Sequence, residues 1–289
     1  MNHQLSFQQV DVFTDVRFKG NPVAVVLDGN SLSTDEMQAV ANWTNLSETT
    51  FVCKPTDPRA DYKLRIFTPH NELPFAGHPT IGSAFAVLKH GLKPKTEGGL
   101  VQECGSGLVS ILIDGDKLFF TLPESSIEDI PSDQLVQLAN ALGVPLNSVN
   151  ASATIDVGAV WITIQLSDAY EVRSLKPDMK KLSAWIPRGV TGVTVFGLDS
   201  ENKESDLEVR SFAPNEGVEE DPVCGSGNGC VATLVRRLDL IKQSNYVASQ
   251  GNCIGRNGKV EVRFQDNDKI LIGGYAVTCV EGMLNIDIE

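Results

Sequence analysis

The sequence predicts an α+β fold of two similar lobes related by a pseudo-twofold axis. The stretch RIFTPHNELPFAGHPTIG, residues 65–82, is partly repeated later in the chain as RSFAPNEGVEEDPVCGSGNGC, residues 210–230. Both halves are rich in β-branched and aromatic runs, which are typical of strands. Each half also has one strongly apolar helical segment directly after a glycine corner, which predicts a buried helix.

The internal repeat can be aligned residue by residue once a three-residue insertion is allowed in the second copy. The matched pairs are Arg65 with Arg210, Phe67 with Phe212, Pro69 with Pro214, Pro74 with Pro222 and Gly77 with Gly225. The similarity continues into residues 107–120 and 258–272, where strand-like runs flank a polar turn. Each half is therefore predicted to follow the same plan.

The first half starts with two predicted strands, VDVFT and NPVAVVLD. Ser33 followed by Glu36 gives the S-x-x-E capping box, which predicts a helix that runs to about Asn45. The runs TTFVCK and YKLRIFT return to strand. Pro79 near the start and Gly91 past the end bound the next segment, and its apolar residues on more than one face predict a buried helix.

The second half repeats this helix at residues 227–241, in GNGCVATLVRRLDLI. A polar, proline-bearing stretch near Pro123 predicts the boundary between an N-terminal lobe, residues 1–122, and a C-terminal lobe, residues 123–289. In this division a last strand, residues 280–289, is a candidate to return to the first lobe.

Composition narrows the class of protein. The chain has 289 residues, 42% of them hydrophobic, and a formal net charge of −13, which repels nucleic-acid phosphates and anionic lipid. We therefore expect neither nucleic acid nor membrane as a partner. The N-terminus lacks the pattern of a signal peptide, which favours a cytoplasmic location. The six cysteines form no C-x-x-C pair, so reduced thiols are expected, five of them buried.

The duplicated corner has a chemical consequence. If the axis brings both corners together, the N-termini of two helices, at Gly77 and Gly225, face one cleft and favour an anion there. A small carboxylate is the expected substrate. The first corner adds His78 beside that anion, and the second corner adds Asp221, Cys224 and Ser226.

Four stretches together resemble one known family. They are VDVFTDVRFKGNPVAVV from residue 10, NLSETTFV from 45, IFTPHNELPFAGHP from 66 and VEEDPVCGSGNG from 218. They resemble the PhzF-like family of phenazine biosynthesis, whose fold is that of diaminopimelate epimerase. The resemblance implies barrel-like sheets around central helices, an active site between the lobes, and often a homodimer. It also implies an isomerase that uses acid–base chemistry, with no metal and no organic cofactor.

The resemblance carries roles onto particular residues. It makes Glu48 the catalytic acid and base, with His78 and Asp221 as its catalytic partners. Ser226 and Cys224 are substrate-binding positions, and the Gly77 and Gly225 corners supply backbone N–H groups. The implied mechanism is that Glu48 removes a proton from a cyclic amino or hydroxy acid and returns it at another carbon, which shifts the double bond.

Two alternatives stay open. Epimerases of this fold use a cysteine from each lobe, and this chain has Cys224 at one corner but Ala76 at the other. Glu48 and Cys224 could therefore act as an asymmetric pair of bases in an epimerase or racemase. A protein that binds small carboxylates without turnover is the second alternative. A zinc deaminase is rejected, because His70-Asn71-Glu72 has no P-C-x-x-C partner motif.

Each candidate also has a structural interpretation. From position alone, Glu48 is a solvated carboxylate at a helix end, and only the family resemblance gives it a catalytic role. His78 can cap a helix, Asp221 can form a turn before Pro222, and Cys224 can be a small buried residue. GSGNG is neither a Walker sequence nor a dinucleotide fingerprint.

Overall fold

The computed structural model describes residues 2–266 and 268–287. The chain divides into two compact units, Met1–Thr121 with Gly273–Glu289 as unit 1 and Leu122–Ile272 as unit 2. The division after Thr121 lies beside the predicted boundary at Pro123. The returning C-terminal segment begins earlier than the predicted residue 280. The predicted α+β class is confirmed in both units.

Elements are numbered along the chain. In unit 1 the strands are β1 Asn2–Val12, β2 Asn21–Val26, β3 Thr49–Cys53, β4 Tyr62–Phe67, β5 Glu72–Leu73, β6 Gly99–Cys104, β7 Gly107–Asp114, β8 Lys117–Thr121 and, after unit 2, β18 Ala276–Asp287. The helices of unit 1 are α1 Thr34–Thr44 and α2 Gly77–Lys89.

In unit 2 the strands are β9 Ser126–Glu128, β10 Ala151–Asp156, β11 Val160–Gln165, β12 Gly192–Leu198, β13 Leu207–Ala213, β14 Val218–Asp221, β15 Asn245–Gln250, β16 Gly258–Phe264 and β17 Ile270–Gly274, whose last two residues fall in unit 1. The α-helices are α3 Ser132–Leu142, α4 Ala169–Ser174, α5 Met179–Trp185 and α6 Gly225–Arg237. Short 3₁₀ turns are Leu146–Ser148, Pro214–Glu216 and Asn252–Ile254.

Strand pairing repeats between the units. In unit 1, β1 runs antiparallel to β2, β2 parallel to β3, β3 antiparallel to β4, β4 parallel to β6, and β6 antiparallel to β7. In unit 2 the same series is β10 with β11, β11 with β12, β12 with β13, β13 with β15, and β15 with β16. The parallel pairs are bridged by helices in both units. The predicted internal repeat is therefore confirmed strand by strand.

Matched side chains repeat as well. In unit 1 the Arg65 guanidinium lies 5.1 Å from the Phe67 ring centre and binds Glu72 at 2.6 Å. The equivalent distances in unit 2 are 5.0 Å for Arg210 over Phe212 and 2.8 Å for Arg210 to Glu220. Each ion pair ties a strand to the short antiparallel strand that follows it, β4 to β5 and β13 to β14. The repeat thus conserves a clamp just before each glycine corner.

One buried helix organises each unit. α2 packs against β1, β2, β3, β4, β8 and β18, and α6 packs against β10, β11, β12 and β16. In each helix ten of the thirteen residues are buried, which confirms the two predicted buried helices. Both helices start at the corner glycine itself, two residues before the predicted starts at Pro79 and Gly227.

The predicted cap of α1 is confirmed. The Ser33 hydroxyl accepts from the Glu36 backbone N–H, and the Glu36 carboxylate accepts from the Ser33 backbone. The helix ends at Asn45, which adopts the left-handed conformation with a φ of 52°. This turn sends the chain back towards β3, and Glu48 is the last residue before that strand.

All six cysteines are free thiols, as expected. The expectation that five are buried is wrong, because only Cys104, Cys224 and Cys230 are buried. Cys53 and Cys279 are half-buried near strand ends, and Cys253 is exposed in the turn Asn252–Ile254. Among the described residues, no helix is long and apolar enough to cross a membrane.

The close approach of α2 to the sheet gives a stability prediction. A Cβ added at Gly82 would lie 2.4 Å from Val23 Cγ1 and 2.9 Å from Val12 Cγ2. Overpacking of this kind costs about 1–3 kcal/mol, and the helix propensity of alanine returns about 1 kcal/mol at most. We expect Gly82→Ala to lower the midpoint of urea unfolding.

Gly282→Ala is the matched control, because a Cβ at this exposed strand position meets no described atom within 4 Å. We expect it to change the unfolding free energy by less than about 0.5 kcal/mol. A Gly82→Ala protein as stable as wild type would contradict tight packing of α2 on β1 and β2.

Candidate active site

Unit 1 brings Glu48 and His78 together. Glu48 precedes β3, and His78 is the second residue of α2. Glu48 Oε2 lies 3.2 Å from His78 Nε2. Their side chains are only 16% and 7% exposed, so this contact is largely shielded from water. The structural interpretation of Glu48 as a solvated carboxylate at a helix end does not hold.

His78 is held in a defined orientation. The Pro22 carbonyl accepts a hydrogen bond from the imidazole, and Asn21 Nδ2 lies 3.5 Å from Nδ1. Within the described part of the chain, His78 Nε2 makes no hydrogen bond of regular geometry. The nitrogen that donates to the Pro22 carbonyl is therefore Nδ1. Burial lowers the pKa of His78 to about 3. The imidazole is therefore neutral at physiological pH, with the Nε2 lone pair facing Glu48.

This arrangement has a chemical meaning. A neutral imidazole with its hydrogen on Nδ1 can only accept at Nε2. A carboxyl group donates to such an acceptor only when it carries its proton. The pair is therefore suited to hold one proton between Glu48 and His78 and to exchange it with a bound molecule.

Unit 2 brings Asp221, Cys224 and Ser226 together at the start of α6. Asp221 ends β14, and its Oδ1 accepts from the Val223 backbone N–H at 3.0 Å. Cys224 is the N-cap residue of α6, and its Sγ accepts from the Gly227 N–H at 3.2 Å. Ser226 Oγ lies 3.6 Å from that sulfur. Three of the predicted residues thus form one contiguous cluster.

Burial dominates the electrostatics of this cluster. It raises the pKa of Asp221 to about 6, against the opposing effects of the Val223 N–H and the Cys224 thiol, while neighbouring Glu220 raises it further. Burial and the Asp221 charge raise the pKa of Cys224 well above its ordinary value. The Cys224 thiol therefore keeps its proton near neutral pH, whereas Asp221 titrates close to it.

The two corners differ at the N-cap. The Cys224 sulfur caps α6, but Ala76 at the equivalent position offers no side-chain cap to α2. The first turns of both helices begin at the predicted corner glycines, Gly77 and Gly225. The backbone N–H groups and the positive end of the helix dipole favour an anion at such a terminus.

Several functional candidates were missed at the sequence level. Gln250 Oε1 accepts from the Cys224 backbone N–H at 3.1 Å, and its Nε2 donates to the Asp221 carbonyl at 3.0 Å. Asn228 donates to the same Gln250 oxygen at 2.7 Å. Trp161 Nε1 donates to Ser226 Oγ at 3.0 Å. Asn228 stands inside the quoted GSGNG motif, but neither Gln250 nor Trp161 carries a local signal, because both lie on other strands.

No group of three or more His, Cys, Asp or Glu side chains within residues 2–266 and 268–287 has a geometry that could hold a metal ion. Glu72 of the rejected deaminase motif forms an ion pair with Arg65 at 2.6 Å.

Comparison with known proteins agrees with the fold. The chain matches the family described as Phenazine biosynthesis-like protein over residues 10–282. Antisense-enhancing sequence 1 of Schizosaccharomyces pombe is 45% identical, covering 96% of this chain and 97% of its own. Trans-2,3-dihydro-3-hydroxyanthranilate isomerase of Pseudomonas chlororaphis is 30% identical, covering 95% and 97%. A crystal structure of an Enterococcus faecalis phenazine biosynthesis protein of the PhzF family has a TM-score of 0.81 at 28% identity, covering 98% and 100%.

The family match and the relatives named isomerases define the class of the protein as an isomerase. The chain belongs to the Phenazine biosynthesis-like family, which confirms the resemblance seen in its four motifs.

The low pKa of His78 predicts a pH dependence of stability. In the unfolded chain a histidine titrates near 6.5, whereas in the folded chain His78 titrates at about 3. Between these values the unfolded chain binds the additional proton, so stability falls as the pH falls, by up to about 1.4 kcal/mol per pH unit. We expect His78→Gln to remove this contribution between about pH 4 and 6 in urea unfolding.

His90→Gln is the matched control, because His90 is exposed at the end of the same helix. Asp221 is present in both variants, so its opposite contribution, which is lost as the pH rises through about 6, cancels in the comparison. Equal slopes in the two variants would contradict a buried neutral His78.

Proposed function

We propose that this protein is an acid–base isomerase that shifts a double bond in a small cyclic amino or hydroxy carboxylic acid. In this proposal Glu48 removes a proton from one carbon and delivers a proton to another, without an organic cofactor or a metal. The observation that carries the proposal is the shielded contact of 3.2 Å between Glu48 Oε2 and His78 Nε2.

The Glu48–His78 pair suits this chemistry because His78 stays neutral. When Glu48 carries the proton, the Nε2 lone pair of His78 can accept a hydrogen bond from the carboxyl group. This bond fixes the orientation of the Glu48 carboxyl group. When Glu48 has given the proton away, the imidazole is a polar neighbour without a like charge. The side chain can therefore work as acid and as base in successive steps of one turnover.

The second corner supplies substrate recognition in this proposal. Asp221 and His78 hold the amino or hydroxyl group of the substrate, and Ser226 with Cys224 lies beside its carboxylate. The backbone N–H groups that start α2 and α6, at Gly77 and Gly225, stabilise the negative charge that develops when the proton leaves carbon.

A racemase with Glu48 and Cys224 as two bases has less support. A base must lose its proton near the working pH, and burial raises the pKa of Cys224 well above its ordinary value. Ala76, at the equivalent position of the first corner, has no titratable proton and cannot act as a second base. No observation specifically favours a binding protein without turnover. A site that only binds a carboxylate does not need the Glu48 carboxyl group beside a neutral imidazole.

The decisive experiment is proton NMR in D₂O. Trans-2,3-dihydro-3-hydroxyanthranilate, the compound named in the Pseudomonas chlororaphis relative, is incubated with wild-type protein beside a panel of cyclic and acyclic amino acids. We expect double-bond migration or deuterium incorporation with wild type. Because general acid–base catalysis contributes about 10²–10⁴-fold, Glu48→Gln should lower the rate by at least about 100-fold.

Glu97→Gln is the matched control, because Glu97 is exposed and distant in sequence from both corners. It should keep the wild-type rate. Exchange that survives Glu48→Gln unchanged would refute the central role of Glu48. Cys224→Ala separates the alternatives, because a two-base racemase loses several orders of magnitude and the isomerase does not.

Two further expectations stay predictions, a cytoplasmic location and a homodimer. The exposed side chain of Met283 on β18 supports an interface there, since it is 52% exposed in the single chain. We expect sedimentation equilibrium to give twice the mass of one chain, and Met283→Lys to weaken that association. A monomer at micromolar concentration would contradict the homodimer.

A further inference from the structure

Four side chains of unit 2 form a continuous hydrogen-bonded chain that ends at Asp221. Trp161 Nε1 lies 3.0 Å from Ser226 Oγ, and Ser226 Oγ lies 3.6 Å from Cys224 Sγ. The Cys224 side chain in turn lies beside the Asp221 carboxyl group, whose pKa it lowers as a hydrogen-bond donor. Only the last three of these residues belong to the corner motif, and Trp161 reaches them from β11.

Donor and acceptor chemistry fixes the direction of this chain. The indole N–H of Trp161 can only donate, so Ser226 Oγ is its acceptor. The Ser226 hydroxyl hydrogen is then available for the Cys224 sulfur, which also accepts the Gly227 N–H at 3.2 Å. With two donors on the sulfur, the thiol hydrogen is left for the carboxylate of Asp221. All the hydrogens thus point from Trp161 towards Asp221.

Both ends of the chain are fixed by packing. Trp161 is 2% exposed, and it packs against Gly192, where an added Cβ would lie 2.8 Å from the ring. At the other end, Gln250 binds the backbone of both Cys224 and Asp221. Trp161 and the backbone of Cys224 and Asp221 are therefore held in place, and the Ser226 hydroxyl is the member of the chain that can rotate.

We propose that this chain orients the Asp221 carboxylate for the substrate and makes Trp161 and Cys224 positioning residues of the second corner. The inference rests on the proposed function, in which Asp221 touches the substrate. Donation from the thiol favours the ionised form of Asp221, which burial disfavours. The chain therefore keeps a buried carboxylate available as an acceptor for an amino or hydroxyl group.

The chain also couples the two ends of the substrate. Ser226 has one hydroxyl hydrogen, so it cannot donate to Cys224 and to a substrate carboxylate at the same time. When it turns to the substrate, the sulfur keeps only the Gly227 N–H. The Cys224 thiol is then a weaker donor to Asp221. Binding of the substrate carboxylate to Ser226 therefore weakens the hydrogen bond to Asp221, the residue that holds the amino or hydroxyl group.

The charged and titratable neighbours of Asp221 are few. Glu220 precedes it on β14 and is bound to Arg210 from β13 at 2.8 Å. At the start of α6 the neighbour is the N-cap residue Cys224. Cys230, six residues further along, influences Cys224, and its Sγ lies 3.4 Å from the Ile155 carbonyl. Both thiols stay protonated because burial raises their pKa. Glu220 stays paired with Arg210, so Asp221 is the group whose ionisation the chain should report near pH 6.

The test is infrared spectroscopy of the S–H stretching band, which needs no turnover. The Cys224 band is assigned by the difference between wild type and Cys224→Ser. We expect it to shift with pH at a midpoint near that of Asp221, about 6. In Asp221→Asn the band should no longer titrate, and in Trp161→Phe it should move at constant pH, because Ser226 loses its fixed partner.

The Cys230 band, assigned with Cys230→Ser, is the internal control and should not respond to Asp221→Asn. A Cys224 band that ignores both pH and Asp221→Asn would overturn the chain, because the thiol would then donate elsewhere. This outcome is separate from the proposed function, since the D₂O exchange that depends on Glu48 can succeed or fail independently of the band.

Once a substrate is identified, steady-state kinetics provide a second test of the positioning role of Cys224. The free energy of a hydrogen bond to a charged group corresponds to about a tenfold change in an equilibrium constant. We therefore expect Cys224→Ala, which removes this bond, to lower kcat/KM about tenfold. The acidic limb of the pH profile should move to higher pH in that variant. Cys224→Ser keeps a donor and should restore both. Equal behaviour of the Ala and Ser variants would contradict a positioning role for the thiol.

Discussion

Each unit depends on one constraint, a helix that is buried almost throughout its length inside a wrap of strands. Such a helix can approach the sheet only where small residues allow it, as at Gly82 against Val23 and at Gly229 against Leu122. Its first backbone N–H groups lie away from bulk water and need partners. The start of the helix is therefore the natural place for polar chemistry, and both groups of candidate residues lie there.

The two copies of this plan have specialised in opposite directions. The corner of unit 1 has no side-chain cap and instead places a neutral imidazole beside an acid. The corner of unit 2 is capped by a thiol and stabilised by buried Gln250, which binds the backbone of Asp221 and Cys224, and by buried Asn228, which donates to the Cys224 carbonyl. In the proposed function, the first copy moves a proton and the second holds polar groups in fixed directions. The two copies share the scaffold, including the arginine clamps before each corner, whereas the residues after each clamp differ.

Burial also sets the protonation states that this division requires. It lowers the pKa of His78 and raises that of Asp221, so one basic and one acidic group both favour their neutral forms. The hydrogen bonds then decide how far each shift goes. At Asp221 the donors oppose burial and bring the titration close to neutral pH. At Cys224 burial prevails, and the thiol remains a hydrogen-bond donor.

The sequence by itself determined the repeat, the buried helices, the cap of α1 at Ser33, the family and the corner residues. These features are written in local patterns, such as the spacing of glycines, a capping box and apolar runs. Only the tertiary structure decided which atoms meet. Glu48 and His78 are thirty residues apart in sequence, and Trp161 and Gln250 reach the second corner from separate strands. Contacts of that kind depend on strand register and side-chain direction, which no local pattern of residues encodes.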